Sequence, residues 1–147
     1  MPRIRKAIDI EATPEHVFAE VSEPARQVQW ALPFRSIEVP ENGPPVQGSV
    51  QRWAFKVGPR TWDLAAVVTD YRHNQTIARE TREGGLHLRD RFTVLPQSGE
   101  VTRVEWVIEY EPPMGLLGRL LDALVMVRVF ENDMETSLER LKARLEG

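Results

Sequence analysis

The chain has 147 residues, 41% hydrophobic and 28% charged, with a formal net charge of −3 and a pI near 5.7. That length and hydrophobic share suit one domain over residues 1–147 with a core of its own, and the acidic balance offers no basic footprint for nucleic acid. Cysteine is absent, which removes disulfides, thiolate catalysis and cysteine-held zinc or iron-sulfur centres together.

The basic start Met1-Pro2-Arg3-Ile4-Arg5-Lys6 runs into a strand pattern rather than an apolar leader, so the expected location is cytoplasmic. Arg outnumbers Lys sixteen to three, a bias of GC-rich bacterial genomes. Arg3 to Ala12 alternates, with Ile4, Ile8 and Ile10 on one side and Arg3, Arg5, Asp9 and Glu11 on the other, the pattern of a half-buried strand. Thr13-Pro14-Glu15 supplies a capping hydroxyl, a proline for the first turn and an early acid, opening a helix to about Ser22 with Val17, Phe18 and Val21 inward. Glu23-Pro24 breaks it, and Ala25 to Trp30 forms a second short helix carrying Val28 and Trp30 inward. A strand follows around Phe34 to Val39, then a loop from Pro40 to Pro45.

From Gly48 to Tyr110 the pattern is a run of hairpins whose turns fix a register. Gly58-Pro59 as a two-residue turn sets Trp53 opposite Leu64 and Phe55 opposite Trp62. Gly84-Gly85, with Glu83 paired to Leu86, sets Ile77 opposite Phe92, Thr81 opposite Leu88 and Arg79 opposite Asp90 on one face, and Glu80 opposite Arg89 on the other. The last strand, Val101 to Glu111, puts Thr102, Val104, Trp106, Ile108 and Tyr110 inward. After Pro112-Pro113 comes one long amphipathic helix, Leu116 to Leu145, with a seam of Leu120, Leu124, Val127, Met134, Leu138, Leu141 and Leu145. The step from Val127 to Met134 passes through Glu131, a carboxylate on the face to be buried. At about 1.5 Å per residue this helix is roughly 45 Å long, which requires a curved sheet wrapped along it. Leu121, Val125 and Val129 make its first half apolar nearly all round; burial under the short helices is the expected reason, with a homodimer contact or a lipid-facing lid as alternatives. Arg119, Asp122 and Arg128 rule out stable membrane insertion of this stretch.

Strand, two short helices, six strands in hairpins and a long C-terminal helix resemble the polyketide cyclase/dehydrase and START-like superfamily (SRPBCC, Bet v 1-like). The residues that carry the likeness are Ile8-Asp9-Ile10-Glu11-Ala12-Thr13-Pro14-Glu15-His16-Val17-Phe18, Thr102-Arg103-Val104-Glu105-Trp106 and Met134-Glu135-Thr136-Ser137-Leu138-Glu139-Arg140-Leu141-Lys142. The resemblance implies an α+β helix-grip fold, a curved antiparallel sheet of about seven strands around the C-terminal helix with a cavity between them. Members include lipid carriers and aromatase/cyclases, so fold alone does not choose the function. In aromatase/cyclases the chemistry is attributed to an Arg and a hydroxyl on the strand matching Trp62 to Val68; here that strand points Trp62, Leu64, Ala66 and Val68 inward, which offers a polyketone no proton donor.

The residues expected to contact a ligand are therefore Trp53, Phe55, Trp62, Leu64, Phe92, Trp106, Tyr110 and Met134, with Arg79, Asp90 and Glu131 as polar members. The three histidines, His16, His73 and His87, fall on a helix, a turn and an outer strand face, so no metal site and no cofactor is expected. Asn74-Gln75-Thr76 matches a glycosylation acceptor but reads as a turn. The expected function is binding of a hydrophobic or amphipathic small molecule (lipid, isoprenoid or polyketide-like) in a cavity of about 300 to 1,000 Å³, with no nucleic-acid partner. The alternatives are a polyketide aromatase/cyclase using Arg79, Asp90, Glu131 and Tyr110 as acid-base residues, and a stress-linked interaction protein using a sheet edge.

Overall fold

The computed structural model describes residues 1–112 and 120–147, with side chains of the last helix from Ala123 onward. Two glycine turns account for most of its strand register. Gly58, at φ 59°, joins β3 (Val50–Val57) to β4 (Arg60–Arg72), and Trp53 faces Leu64 and Phe55 faces Trp62 as predicted. β5 (Thr76–Glu83) and β6 (Leu88–Pro96) likewise pair Ile77 with Phe92, Arg79 with Asp90 and Glu80 with Arg89.

Beyond Glu80 the prediction fails. The Glu83–Leu86 and Thr81–Leu88 pairs are not in the ladder; the Thr81 hydroxyl replaces them, accepting from the Leu88 amide at 2.9 Å and donating to the Leu86 carbonyl at 2.9 Å. Glu83 pairs instead with Ala65 of β4. The tip leans onto β4 so closely that a Cβ on Gly84 would stand 2.2 Å from the Asp63 carbonyl oxygen, at a φ of +123°. Only glycine meets both demands.

β1 (Arg3–Glu11) leads into α1 (Pro14–Ser22), where the Thr13 hydroxyl accepts from the His16 amide and Val17, Phe18 and Val21 are buried. α2 is only Pro24–Gln27, shorter than expected. The chain unwinds after it, and Trp30 turns inward with its indole nitrogen donating to the Glu20 carbonyl at 3.3 Å. β2 (Phe34–Glu38) carries a bulge between Phe34 and Ser36. The extra residue lets Phe34 and Ile37, three apart, both meet inward-facing partners, Phe55 and Trp53.

The seven strands form one antiparallel sheet in the order β1-β7-β6-β5-β4-β3-β2, curled around α3 (Leu120–Glu146) as a helix-grip. β7 (Val101–Tyr110) buries every predicted inward residue, and β1 pairs along it from Arg3–Glu109 to Glu11–Val101. The Arg5–Glu105 ion pair across this ladder joins residues 100 apart in sequence.

The second half of the predicted helix seam is correct, and of the first half Val127 packs partly against the core while Leu124 does not. Met134, Leu138 and Leu141 are buried and Leu145 is half-buried. Upstream, the seam runs through Met126 and Phe130, while Leu124 is 54% exposed and Val125 55% exposed. The two longer side chains win because they reach the sheet, where the Phe130 ring lies 4.8 Å from Tyr110 and 6.1 Å from Phe55. Glu131 is thereby off the seam and half-buried. Burial of this half under the short helices also fails for Val125, although Val129 packs partly against the core; residues 116–119 and the side chains of Leu120 and Leu121 lie outside the described residues. The far end of α3 is tied down by polar contacts. Lys142 Nζ donates to the Asp9 carbonyl at 2.9 Å, Glu146 accepts from the Glu11 amide at 2.8 Å, and Arg144 pairs with buried Glu20 at 2.9 Å.

Candidate functional site: the concave face and its mouth

Strand alternation aims Trp53, Phe55, Trp62, Leu64, Phe92, Trp106 and Tyr110 at α3, and all are buried, as is Met134. Phe92 stacks on Trp106 at 4.7 Å, and the Trp30 indole packs edge-on against both rings. Trp30 and Phe34, brought in by the α2–β2 segment, pack edge-on against these rings from the α3 side of the sheet.

Arg79 and Asp90 do face inward as direct cross-strand neighbours. The guanidinium, 1% exposed, donates from Nε to Oδ1 at 3.0 Å and from Nη2 to Oδ2 at 2.6 Å. Sequence reasoning missed the rest of the network. Gln27 of α2 accepts from Nη1 at 2.7 Å, and Gln51 of β3 accepts from Nη1 at 3.4 Å and from Trp53 Nε1 at 2.9 Å. Trp106 Nε1 donates to Asp90 Oδ2 at 3.2 Å. The Phe34 and Trp53 rings face the guanidinium carbon at 4.8 and 4.7 Å, a cation-π collar. Gln51 was within reach of the strand argument, since it alternates with Trp53 and Phe55. Gln27 carried no signal, because its direction depends on where α2 docks.

Both carboxylate oxygens of Asp90 are taken, and the Arg79 charge is met by protein on each side. Such a pair holds four strands and α2 in one arrangement, and moving a proton through it would mean breaking it. Glu131, outside every described cleft, joins none of these groups.

The free polar capacity lies elsewhere. Among the described residues, Gln27 Nε2, Trp62 Nε1 and the Tyr110 hydroxyl are buried without a hydrogen-bond partner. Burial raises the Tyr110 pKa, so its hydroxyl is a neutral donor near pH 7. Trp62 and Tyr110 sit at one end of the sheet, the end formed by the Gly58 turn, the Gly84-Gly85 tip and the close of β7. A cleft of about 520 Å³ opens there beside Leu86 and His87, and a Cβ placed on Gly85, in its wall, would stand 4.0 Å from Trp62 Nε1. At its rim His87 Nε2 lies 2.8 Å from Glu80 and Nδ1 lies 3.4 Å from Glu111. The Glu80 hydrogen bond is the main cause that holds the imidazole pKa above its ordinary 6.5. No group of three or more potential metal ligands is found among the described residues, and no described helix is long and apolar enough to cross a membrane.

Residues 1–146 match the family model described as polyketide cyclase/dehydrase and lipid transport. No curated protein shows significant sequence similarity to the chain. Among solved structures, TTHA0849 from Thermus thermophilus aligns with a TM-score of 0.81 at 22% identity, over 98% of this chain and 97% of the other. A START superfamily protein from Mycobacterium smegmatis gives 0.78 at 17%, over 98% and 97%. The Zhui aromatase/cyclase from Streptomyces sp. R1128 gives 0.78 at 15%, over 99% and 93%. At these identities the likeness is one of fold.

Proposed function

The chain belongs to the polyketide cyclase/dehydrase and lipid transport family, and within it we propose that it binds an amphipathic small molecule of the lipid, isoprenoid or polyketide kind at the mouth of the grip, without transforming it. The observation that carries this reading is the pair of buried donors, Trp62 Nε1 and the Tyr110 hydroxyl, left without partners among the described residues, directly behind a cleft walled by Gly85 and Leu86, with the Phe130 ring packed on Tyr110. A buried donor without an acceptor costs about 1–3 kcal/mol. A ligand that offers a carbonyl or hydroxyl oxygen on an apolar body recovers that cost and covers apolar surface together.

The aromatase/cyclase alternative finds less support. Of its four residues, Arg79 and Asp90 engage each other, Glu131 stands off the seam, and Tyr110 is a donor without a base beside it among the described residues. A proton shuttle needs two such groups in reach of one substrate.

The test is titration with prodan, a neutral naphthyl ketone whose emission reports both polarity and hydrogen bonding. Saturable binding is expected, weakened about tenfold by Trp62→Phe and similarly by Tyr110→Phe, one hydrogen bond each. Unsaturable binding, or affinities unmoved by both changes, refutes the reading. A linear polyketone incubated with the protein should be recovered unchanged, and a cyclised product would return the enzyme alternative.

A further inference from the structure

A second cleft, of about 610 Å³, lies on the flank of the molecule between the α2–β2 segment, the Gly58 turn and α3. It shares no lining residue with the mouth cleft. One wall is apolar, made by Val28, Trp30, Ala31, Phe34 and Val129; the other carries Arg35, Lys56 and Arg140 against a single acid, Asp133. The bulge in β2 supplies Arg35, and the position of α3 is fixed there by Ser137, which donates to the Asp133 carbonyl and accepts from the Leu32 amide at 2.9 Å.

Most cations of the described surface are already paired, and Arg52, Arg60 and Arg128, which among the described residues are not, line neither cleft. Arg3, Arg5, Lys6, Arg26, Arg72, Arg82, Arg89, Arg91, Arg103, Lys142 and Arg144 all make ion pairs. Arg35, Lys56 and Arg140 make none among the described residues, although Lys56 is close enough to Asp133 to pull its carboxyl pKa down against the larger upward effect of burial. Three cations and one acid leave a positive excess beside an apolar wall, in a protein whose net charge is negative. A concave surface focuses such a field on whatever enters.

We infer that this flank cleft is a binding site, separate from the mouth, for a small amphipathic anion: a carboxylate, sulfonate or phosphate ester whose charge meets Arg35, Lys56 and Arg140 while its apolar body lies on the half-buried Val28, Leu32 and Val129. A bare inorganic anion would leave the apolar wall uncovered, and a neutral amphiphile would leave the cations unmet.

The probe is 1-anilinonaphthalene-8-sulfonate, read by its fluorescence gain. The triple change Arg35→Gln, Lys56→Gln and Arg140→Gln, at exposed or half-buried positions that leave the core intact, should weaken it at least about tenfold, whereas Asp133→Asn should tighten it. Binding should fall with added salt in the parent protein more than in the triple variant. Decanoate should displace the probe; inorganic sulfate at the same ionic strength should not. Prodan binding should be unmoved by the triple change, and sulfonate binding unmoved by Trp62→Phe, so failure at the mouth and failure here remain distinct. An unchanged sulfonate affinity in the triple variant overturns the inference, as does equal displacement by sulfate. Sedimentation with phosphatidylglycerol vesicles that the triple variant loses would replace a monomeric anion with a membrane surface, and also overturns it.

Discussion

The Arg79–Asp90 pair sets a sharp energetic expectation. Asp90→Ala strips the guanidinium of the two carboxylate bonds at 3.0 and 2.6 Å and leaves it with the amide oxygens of Gln27 and Gln51 at 2.7 and 3.4 Å. With that side chain 1% exposed, water cannot take over, and the expected loss is about 3–5 kcal/mol, the range for breaking a buried pair from one side. Arg79→Met keeps much of the volume between Phe34 and Trp53 but leaves Asp90 with Trp106 Nε1 alone, a loss of similar size. Once either partner is gone, removing the second relieves an unpaired charge. The double variant should therefore fall short of the sum by about 1–3 kcal/mol. Urea unfolding followed by far-UV circular dichroism is the suitable assay, because Trp53 and Trp106 touch the network and their fluorescence would shift without unfolding. Additive losses would refute the reasoning, and would mean that the two charges are solvated separately.

Leu138→Ala should cost about 2–5 kcal/mol in the same assay, while Leu124→Ala, at an exposed position, should stay within about 0.5 kcal/mol; the reverse order would mean that the helix face is misassigned. Gly84→Ala should destabilise by more than the usual surface substitution, since its Cβ has no room beside Asp63, and an unchanged denaturation midpoint would show that the tip does not press on β4. His87 should titrate above pH 6.5 by NMR, since its hydrogen bond to Glu80 raises the imidazole and lowers the carboxyl. Its folded pKa is raised, so the stabilisation is complete below about 6.5 and is lost as pH climbs through the folded value. The Glu80 share is present above about 4.5 and lost as pH falls through its lowered value. The pair therefore stabilises most between those limits, by no more than about 1 kcal/mol because the imidazole is well exposed, and a midpoint at or below 6.5 would disprove the coupling.

Register was the most legible part of the sequence. A period of two leaves no freedom once a turn is placed, so Gly58-Pro59 and Gly84-Gly85 located Trp53, Phe55, Arg79 and Asp90 on the inner face. The second turn gave the right register even though its own outermost pairs do not form, because pairing further down the strands depends on the sum of residue numbers rather than on the geometry at the tip. The helix phase was less legible. From Leu124 to Phe130 nearly every residue except Arg128 is apolar, so helical periodicity permits more than one stripe. The choice of Met126 and Phe130 depends on what stands opposite, which is tertiary information. The same holds for the interior. Inward-facing aromatics are compatible with a lined cavity or a packed core, and the rings of Trp30 and Phe34 that meet them arrive from a segment with little pattern of its own.

The pairing of β1 with β7 has a consequence for how the chain comes into being. β1 is made before the rest of the sheet, yet among the described residues its only ladder partner is β7, about a hundred residues later, so its amides and carbonyls wait while the intervening strands are made. Arg3, Arg5, Asp9 and Glu11 alternate along the waiting strand, and such charges discourage pairing with another chain. Closing so long a loop is entropically costly, and refolding should fall in the millisecond-to-second class of non-local topologies. Stopped-flow refolding that finished in microseconds would show that closure of the sheet does not limit the rate.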